Sequence, residues 1–553
     1  MSKELSNVKN ITTTISGNIV DVLNSKIYPG TLQIAEGKII DIVKDTKCYN
    51  TFILPGFVDS HIHIESSMLT PSEFARLAVI HGTIATVSDP HEIGNVLGVS
   101  GVNYMIENGR AVPFKFYFGA PSCVPATSFE TAGAEINLTQ IEELFKKNEI
   151  KFLSEMMNFP GVLNDNHQVL EKILLAKKYK KKIDGHAPGL RESDLEKYAA
   201  SGISTDHECL DKEEALEKLK LGMKIQIREG SAAKNFDTLV PLIEKYYENI
   251  MFCSDDKHPD DLVRGHINEL VKRALQLGID KMKVLRCACV NPVLHYNLEV
   301  GLLQKGDFAD FVEIDNFENL NILRTYIDGK VISENGKALF PHSETKMVNN
   351  FSAQSKQVSD FYVKESPGKI RVIGIIEGQL ITDRLFETPK ISNGYVIADP
   401  KRDILKIAVI NRYQDVSPSL GFVRNFGLKK GAVASSVAHD SHNIIAVGVT
   451  DEDICRAVNL IISNKGGIVV VSEEIEEILS LPIAGIITNA DGFEVAKQYS
   501  KLDKIAKDLG SKLKTPFMTL SFLALLVIPK IKLSDKGLFD GEKFEIINLF
   551  EEG

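Results

Sequence analysis

Two histidines, His61 and His63, stand two positions apart and directly follow a hydrophobic segment at residues 52–58. If that segment continues as a β-strand, both imidazoles project to the same side, from Cα atoms roughly 6.5 Å apart. Two neutral imidazoles placed in this way can share one divalent metal ion. The alternative is a pair of exposed histidines at a strand end, and the choice depends on what stands at the ends of the other strands.

Eight short β-branched or apolar runs alternate with longer helical patterns between residues 57 and 259, which is typical of parallel strands with crossover helices. The count predicts an α/β protein built on a closed (β/α)8 barrel, the TIM barrel, whose active site lies at the carboxyl ends of the strands. The predicted strands are residues 57–63, 83–89, 114–120, 151–156, 183–188, 204–208, 223–229 and 250–256.

Metal-binding residue types converge on that end of the predicted barrel. A single carboxylate or histidine there would be an ordinary surface or loop residue. Five strands, the first, fourth, fifth, sixth and eighth, all end in such residues, and their joint placement predicts a metal site. The candidates are His61, His63, Glu155, His186, His207, Asp255 and Asp256.

Asp255 and Asp256 are neighbours, and strand alternation would let only one of them point into the barrel. The position directly after Ser254 favours Asp255. Asp256 would then orient a ligand or simply end the strand. The sequence leaves open which of the two carboxylates accepts a proton during a reaction.

Composition bounds the class of protein. The chain has 553 residues, of which 44% are hydrophobic and 25% charged, a formal net charge of -10 and seven scattered cysteines. The acidic balance argues against nucleic-acid binding. Cysteines without a regular framework fit reduced thiols in a cytoplasmic protein. The longest apolar run, residues 518–528, is shorter than the ~20 residues of a membrane span and predicts a buried core segment.

Four regions are predicted along the chain. Residues 57–299 form the barrel. Short strands and turns in residues 1–56 and 300–345 flank it and are expected to join into one small β domain. Residues 346–368, rich in polar side chains, form a linker, and residues 369–553 form a C-terminal α/β or α+β domain.

The residues at these strand ends resemble the pattern of the amidohydrolase superfamily, and several segments resemble its bacterial-type adenine deaminase family more closely. The segments are residues 55–68, 88–92, 155–158, 184–189 and 253–256 in the barrel, with residues 433–443 and 533–540 beyond it. The resemblance covers nearly the whole chain. It implies a cytoplasmic, metal-dependent hydrolase of purine salvage that deaminates adenine to hypoxanthine and ammonia.

The resemblance also implies a binuclear metal centre. By position, one ion would be held by His61 and His63, the second by His186 and His207, with Glu155 as the bridge and Asp255 completing the site. The ions would be Mn²⁺ or Fe²⁺, and Zn²⁺ is also compatible with these ligands. They would activate water for attack on C6 of adenine, and the strand-eight aspartate would pass the proton of the water to the departing amine.

The implied partners are small molecules, adenine and water, without nucleic acid or membrane, and the chain is expected to form a homo-oligomer. Two alternatives stay open. Another enzyme of the same class, acting on a different base or on a cyclic amide, would share every metal ligand. A noncatalytic barrel scaffold would be expected to lose ligands, whereas this chain presents a full set.

Residues 89–92 end the second predicted strand on the same face of the barrel. One interpretation is turn chemistry, in which Asp89 caps the segment that follows. The other is a catalytic role, in which His91 or Glu92 protonates a ring nitrogen or binds the purine edge. Further candidates for supporting the substrate or the ligands are Glu65 and Glu208.

A second polar cluster, His439, Asp440, His442 and Asn443, stands between apolar runs outside the barrel. Its spacing is poor support for a metal site, and a turn that joins two strands is favoured. If the C-terminal domain caps the barrel, we expect this loop to help close the pocket.

Overall fold

Eight parallel strands form the barrel, and each begins within one residue of its predicted start. The computed structural model describes residues 13–551. Hydrogen bonds join strands one to five and strands six to eight in sequence order, and the parallel bridge between Ile62 and Asp255 places the last strand beside the first. The predicted (β/α)8 barrel is confirmed. Its strands are Phe57–Ile62, Thr83–Ser88, Lys115–Ala120, Ile150–Met156, Lys182–Gly185, Thr205–Asp206, Lys224–Arg228 and Ile250–Cys253.

Local sequence sets the ends of the crossover helices. Asp211 accepts a hydrogen bond from the Glu214 N–H and so satisfies an amide at the start of its helix. The helix after the first strand spans Pro71–Ala78, and Gly82, with φ 79°, makes the turn into the second strand. The other helices up to residue 296 are His91–Leu97, Val99–Gly109, Leu138–Phe145, Phe159–Leu163, His167–Lys178, Glu192–Ala200, Lys212–Lys220, Phe236–Leu239, Ile243–Tyr246, Pro259–Arg264, Ile267–Gln276, Lys281–Leu285 and Asn291–Tyr296.

The segments on either side of the barrel form one eight-stranded sheet. Phe52–Pro55 pairs in parallel with Thr13–Asp21 and antiparallel with Phe311–Ile314, which joins the two segments. The sheet packs at the amino end of the barrel strands, away from the predicted site. Residues 1–12 of the predicted domain lie outside the described residues. In spatial order the strands are Lys337–Ala338, Lys330–Glu334, Ile322–Ile327, Phe311–Ile314, Phe52–Pro55, Thr13–Asp21, Lys26–Ala35 and Lys38–Lys44.

A second eight-stranded sheet organises the C-terminal domain. Helix Asp451–Asn464 packs against it, and helices Gly492–Asp508 and Pro516–Phe522 lie between it and the barrel. In spatial order the strands are Thr382–Glu387, Ile370–Ile375, Ser419–Arg424, Ile404–Ile410, Ile444–Gly448, Ala432–Ser435, Gly467–Ser472 and Ile475–Ser480. Two smaller sheets contain Val363–Lys364, Lys390–Ser392 and Tyr395–Ile397, and Ile531–Ser534, Gly537–Asp540 and Glu545–Ile547.

The segment predicted as a linker is packed against the C-terminal domain. Ser352 and Ala353 donate their N–H groups to the Arg412 carbonyl oxygen, at 2.8 and 3.0 Å. A 3-10 turn at Val358–Phe361 and the short strand Val363–Lys364 follow. These contacts fix the start of the domain relative to its central sheet.

The C-terminal domain lies on the carboxyl end of the barrel. The Thr488 N–H donates to the Met68 carbonyl at 2.8 Å, and the Thr70 N–H donates to the Thr488 carbonyl at 3.2 Å. Arg76 pairs with Asp491 at 3.0 Å in the same region. Among residues 13–551, no helix is long and apolar enough to cross a membrane.

Gly185 ends the fifth strand, where a Cβ atom would lie 2.3 Å from the Thr205 carbonyl oxygen of the sixth. We expect Gly185→Ala to lower the free energy of unfolding by about 1–3 kcal/mol, because the backbone cannot move aside without separating two strands. Gly421→Ala is the matched control, since its Cβ would meet only side-chain atoms at 3.4 Å or more, and a change within about 0.5 kcal/mol is expected. Chemical denaturation measures both, and equal losses would contradict the close strand contact.

Candidate metal centre

The first histidine pair converges on two carboxylates. His63 Nδ1–H donates to the Asp89 carbonyl oxygen at 3.1 Å, which leaves Nε2 facing Glu155 Oε1 and Asp255 Oδ1, each at 3.2 Å. A histidine whose other nitrogen is held by a carbonyl group is oriented as metal-binding histidines are. His61 Nε2 lies 3.6 Å from the same Asp255 oxygen and 4.0 Å from the same Glu155 oxygen.

Glu155 lies between the two predicted histidine pairs. One carboxylate oxygen faces the first pair, and the other is 2.7 Å from His186 Nδ1 and 3.3 Å from His207 Nε2. Burial alone would raise the pKa of Glu155, but the surrounding imidazoles hold it well below its usual range. An ionised carboxylate with one oxygen toward each pair has the arrangement expected of a bridging ligand.

A buried imidazole without partners supports a cation site. His61 is fully buried, and within the described part of the chain neither of its ring nitrogens forms a hydrogen bond. An unsatisfied buried polar group costs roughly 1–3 kcal/mol, which ligation to a cation would offset. Its ligand atoms cluster with those of His207 and Asp255 within 4.8 Å of one another. Imidazole and carboxylate donors of this kind fit divalent Mn, Fe or Zn ions.

Two buried cysteines, Cys209 and Cys253, lie near the predicted ligands. Burial raises the pKa of both thiols well above the usual value. The Cys209 Sγ–H donates to Asp206 Oδ1 at 3.6 Å. The predicted ligands themselves supply imidazole nitrogens and carboxylate oxygens.

Both Asp255 and Asp256 line the pocket above the ligands, so the expectation that strand alternation admits only one of them is wrong. The eighth strand ends at Cys253, and Asp255 has φ 55°, a left-handed conformation that breaks the alternation. The two carboxylates differ in their contacts. Asp255 faces the first histidine pair, whereas Asp256 Oδ1 accepts a hydrogen bond from Ser66 Oγ at 2.5 Å.

Arg228, at the end of the seventh strand, is a site residue that the sequence analysis missed. Its guanidinium donates to Asp255 Oδ2 at 2.7 Å and forms a bidentate pair with Glu208. Burial would raise the pKa of Asp255, but the charge of Arg228 outweighs it and holds the pKa well below the usual value. The available signal was the position of Arg228 at a strand end. A guanidinium group does not bind metal ions, so a pattern of metal ligands does not include it.

Glu208 thus lies beside the second histidine pair and is neutralised by Arg228. Its Oε1 is 3.5 Å from His207 Nε2 and 3.7 Å from His186 Nδ1. Glu65, in contrast to Glu208, contacts the helix that follows the second strand, because its Oε1 accepts the Ile93 N–H at 3.2 Å. Burial raises the pKa of Glu65 to about 7. It supports the start of helix His91–Leu97 rather than the ligands.

Contacts in the structure are consistent with both interpretations of residues 89–92, turn chemistry and a role in the pocket. Asp89 Oδ1 accepts the His91 N–H at 3.1 Å, which is turn chemistry. The His91 ring lines the pocket, with Nδ1 3.1 Å from Asp89 Oδ2 and 3.7 Å from Glu155 Oε1. Glu92 also lines the pocket, but its carboxylate is engaged by the C-terminal domain.

The polar loop at residues 436–443 joins strands Ala432–Ser435 and Ile444–Gly448, as predicted, and reaches the barrel. His439 Nδ1 and His442 Nε2 donate to opposite oxygens of Glu92. The loop therefore helps to close the pocket across the domain boundary.

The remaining wall of the pocket is apolar and also comes from the C-terminal domain. The segment at residues 518–528 is largely buried, as its composition predicted. Phe522, Leu525 and Val527 from this segment line the pocket together with Leu380. The pocket thus combines the predicted metal ligands with an apolar wall.

Models of two protein families match the chain. The amidohydrolase family matches residues 52–332, and the adenine deaminase C-terminal domain matches residues 379–545. A protein named adenine deaminase from Sulfurovum sp. (strain NBC37-1) is 55% identical over 97% of this chain and 99% of its own length. The chain belongs to the adenine deaminase family. The family resemblance seen in the sequence is thereby confirmed.

Other adenine deaminases match to a similar extent. Those of Salinibacter ruber and Borreliella burgdorferi are 51% and 50% identical, over 97% and 96% of this chain and 99% and 98% of their own lengths. The matches extend over both the barrel and the C-terminal domain that lines its pocket. The roles of the individual site residues stay predictions, although the structure brings the six expected ligands together.

We expect His61→Ala to retain only one of the about two divalent ions per chain that the complete ligand set would hold. The substitution removes an imidazole from the first pair and leaves Glu155 and the second pair in place. Elemental analysis after loading with Mn²⁺ measures the loss. His295→Ala is the matched control, because His295 is also buried but bonds to Ser204 outside the site. Equal metal content in both variants would contradict the ligand assignment.

Proposed function

We propose that the protein hydrolyses adenine to hypoxanthine and ammonia at a binuclear metal centre. The observation that carries the proposal is the convergence of six buried ligands beneath a pocket whose wall comes from the C-terminal domain. Relatives at 50–55% identity that are named adenine deaminase support the substrate. An enzyme acting on another base or a cyclic amide would share the ligands but has no such support.

His61, His63, His186, His207, Glu155 and Asp255 would hold the two ions. When bound, divalent ions supply Lewis-acid activation of water near neutral pH. The ligands of this chain favour Mn²⁺ or Fe²⁺ in our proposal, with Zn²⁺ as the alternative. The apolar wall, which includes Phe522, would exclude bulk water and pack on the purine face.

Asp255 would accept the proton of the attacking water. Its Oδ1 faces the floor of the pocket, and its Oδ2 is held by Arg228, so the carboxylate is fixed and ionised. The water oxygen bonds to C6, the C6–N bond to the exocyclic amine breaks, and the proton passes through Asp255 to the leaving amine. Hypoxanthine and ammonia balance adenine and water.

The cellular setting of the enzyme forms part of the same proposal. We place it in the cytoplasm, in purine salvage, acting on free adenine without nucleic acid or membrane partners. We expect a homo-oligomer. Scattered free cysteines and the net charge of -10 support this setting.

Ammonia release tests the proposed substrate directly. We expect the Mn²⁺-loaded protein to release ammonia from adenine with kcat above about 1 per second, the lower end of typical turnover. Adenosine, cytosine, guanine and a cyclic amide serve as comparison substrates, and chelation of the metal should remove activity. Conversion of a comparison substrate in preference to adenine would replace the proposed function.

Substitutions of Asp255 and Asp256 distinguish the residue that transfers the proton from a residue that only supports the site. We expect Asp255→Asn to lower kcat by about 10²–10⁴, since an amide cannot accept the proton. Asp256→Asn removes the negative charge but keeps an oxygen that can accept the Ser66 hydrogen bond, so it should cost less. Metal content is measured alongside, because Asp255 is also an expected ligand. A nearly active Asp255→Asn beside an inactive Asp256→Asn would move the role to Asp256.

A further inference from the structure

The pocket has a polar contribution from the C-terminal domain as well as an apolar one. His439 and Asp440 line it together with the predicted metal ligands. His439 is nearly buried and reaches the barrel through Glu92. The proposed metal chemistry uses neither His439 nor Asp440. The contacts of His439 indicate a different role.

Glu92 and two histidines form a closed hydrogen-bond network rather than an open cation site. His442 Nδ1 accepts the Ala438 N–H at 3.3 Å, so the proton of this ring lies on Nε2, which donates to Glu92. A nitrogen that carries a proton is not available to a metal ion. Both ring nitrogens of His442 are thus satisfied within the protein, and its role is to hold Glu92.

His439 differs from His442 in having one ring nitrogen to spare. Nδ1 is taken by Glu92, and this is the hydrogen bond that the His439 ring makes among the described residues 13–551, which leaves Nε2 at the pocket. The ring also stacks on Phe522, with centroids 4.8 Å apart and planes at 16°. Two contacts, one in the ring plane and one on its face, therefore fix the direction of Nε2.

The Glu92 carboxylate at Nδ1 favours a doubly protonated ring, in which Nε2 is a donor. Burial alone would lower the pKa of His439, but the charge and the hydrogen bond of Glu92 outweigh it and raise the pKa to about 9. A ring with Nδ1–H bound to a carboxylate carries its second proton on Nε2. Such a charged donor matches a neutral ring nitrogen with an in-plane lone pair, which adenine has at N1, N3 and N7.

We infer that His439 is the residue by which the C-terminal domain contacts the substrate, with Nε2 donating a hydrogen bond to a ring nitrogen of the purine. The inference rests on the proposed adenine substrate. Water addition at C6 draws electron density onto the ring nitrogens, so this bond strengthens as the reaction proceeds. Glu92 and His442 act as positioning residues for the donor.

Two substitutions of His439 distinguish the role of the Nε2 donor from that of the Nδ1 contact with Glu92. The amide of Asn in His439→Asn lies near the former Nδ1 and keeps the contact with Glu92 only. The longer Gln in His439→Gln carries its amide near the former Nε2. We expect kcat/KM for adenine to fall by about 10- to 100-fold in His439→Asn, the effect of one lost hydrogen bond to a buried charged group, and by less in His439→Gln.

Deaza analogues identify the bond itself. Inhibition constants are measured for 1-, 3- and 7-deazaadenine, each of which lacks one ring nitrogen. In the wild type, the analogue without the bonded nitrogen should bind about 10- to 100-fold more weakly than the others. In His439→Asn, that difference should shrink to within about threefold, because the donor is gone. His442→Gln, whose amide lies near the former Nε2 and can still donate to Glu92, leaves His439 in place and should keep the discrimination.

Three results would overturn the inference: unchanged discrimination among the analogues in His439→Asn, an equal loss for every analogue, or a fall in metal content in that variant. The last would assign the residue to the metal centre instead. The proposed function fails separately, when the metal-loaded wild type releases no ammonia from adenine. An active wild type with an unaffected His439→Asn would overturn only the present inference.

Discussion

The structure depends on one buried carboxylate. Glu155 is almost inaccessible to solvent, yet it is ionised because two histidine pairs flank its two oxygens. Burying a charge without such partners would be strongly unfavourable. The barrel satisfies this constraint by bringing the ends of five strands to one point, and a displacement of any of them would leave charge uncompensated. The tight contact of Gly185 with the sixth strand is one means of holding that geometry.

Further charged and polar groups surround the predicted metal ligands. These groups are not metal ligands in our assignment. Arg228 pairs with both Asp255 and Glu208, and the Asp89 carbonyl fixes the tautomer of His63. The two oxygens of Asp255 therefore differ, since Arg228 holds one and the other faces the first histidine pair. Supporting residues of this kind tune the basicity and direction of the groups they touch.

The barrel was predictable because the alternation of strand and helix patterns is visible in local sequence. The convergence of the candidate ligands was predictable because these residue types stand directly at strand ends. Each barrel strand begins within one residue of its predicted start. Two features were beyond that reasoning. The left-handed turn at Asp255 depends on loop packing rather than on strand alternation, and the pairing of Glu92 with His439 spans 347 residues. Arg228 was visible as a residue, but its role depends on which two acids the fold brings beside it.

The long separation between Glu92 and its histidines sets an order of events during synthesis. At roughly 5–20 residues per second, His442 leaves the ribosome roughly 20–70 s after Glu92. Over that interval the nascent barrel carries an acid at its open end whose two histidine partners do not yet exist. The pocket is therefore completed only when most of the polypeptide has been made, and a chain released early contains the predicted ligands without the apolar wall.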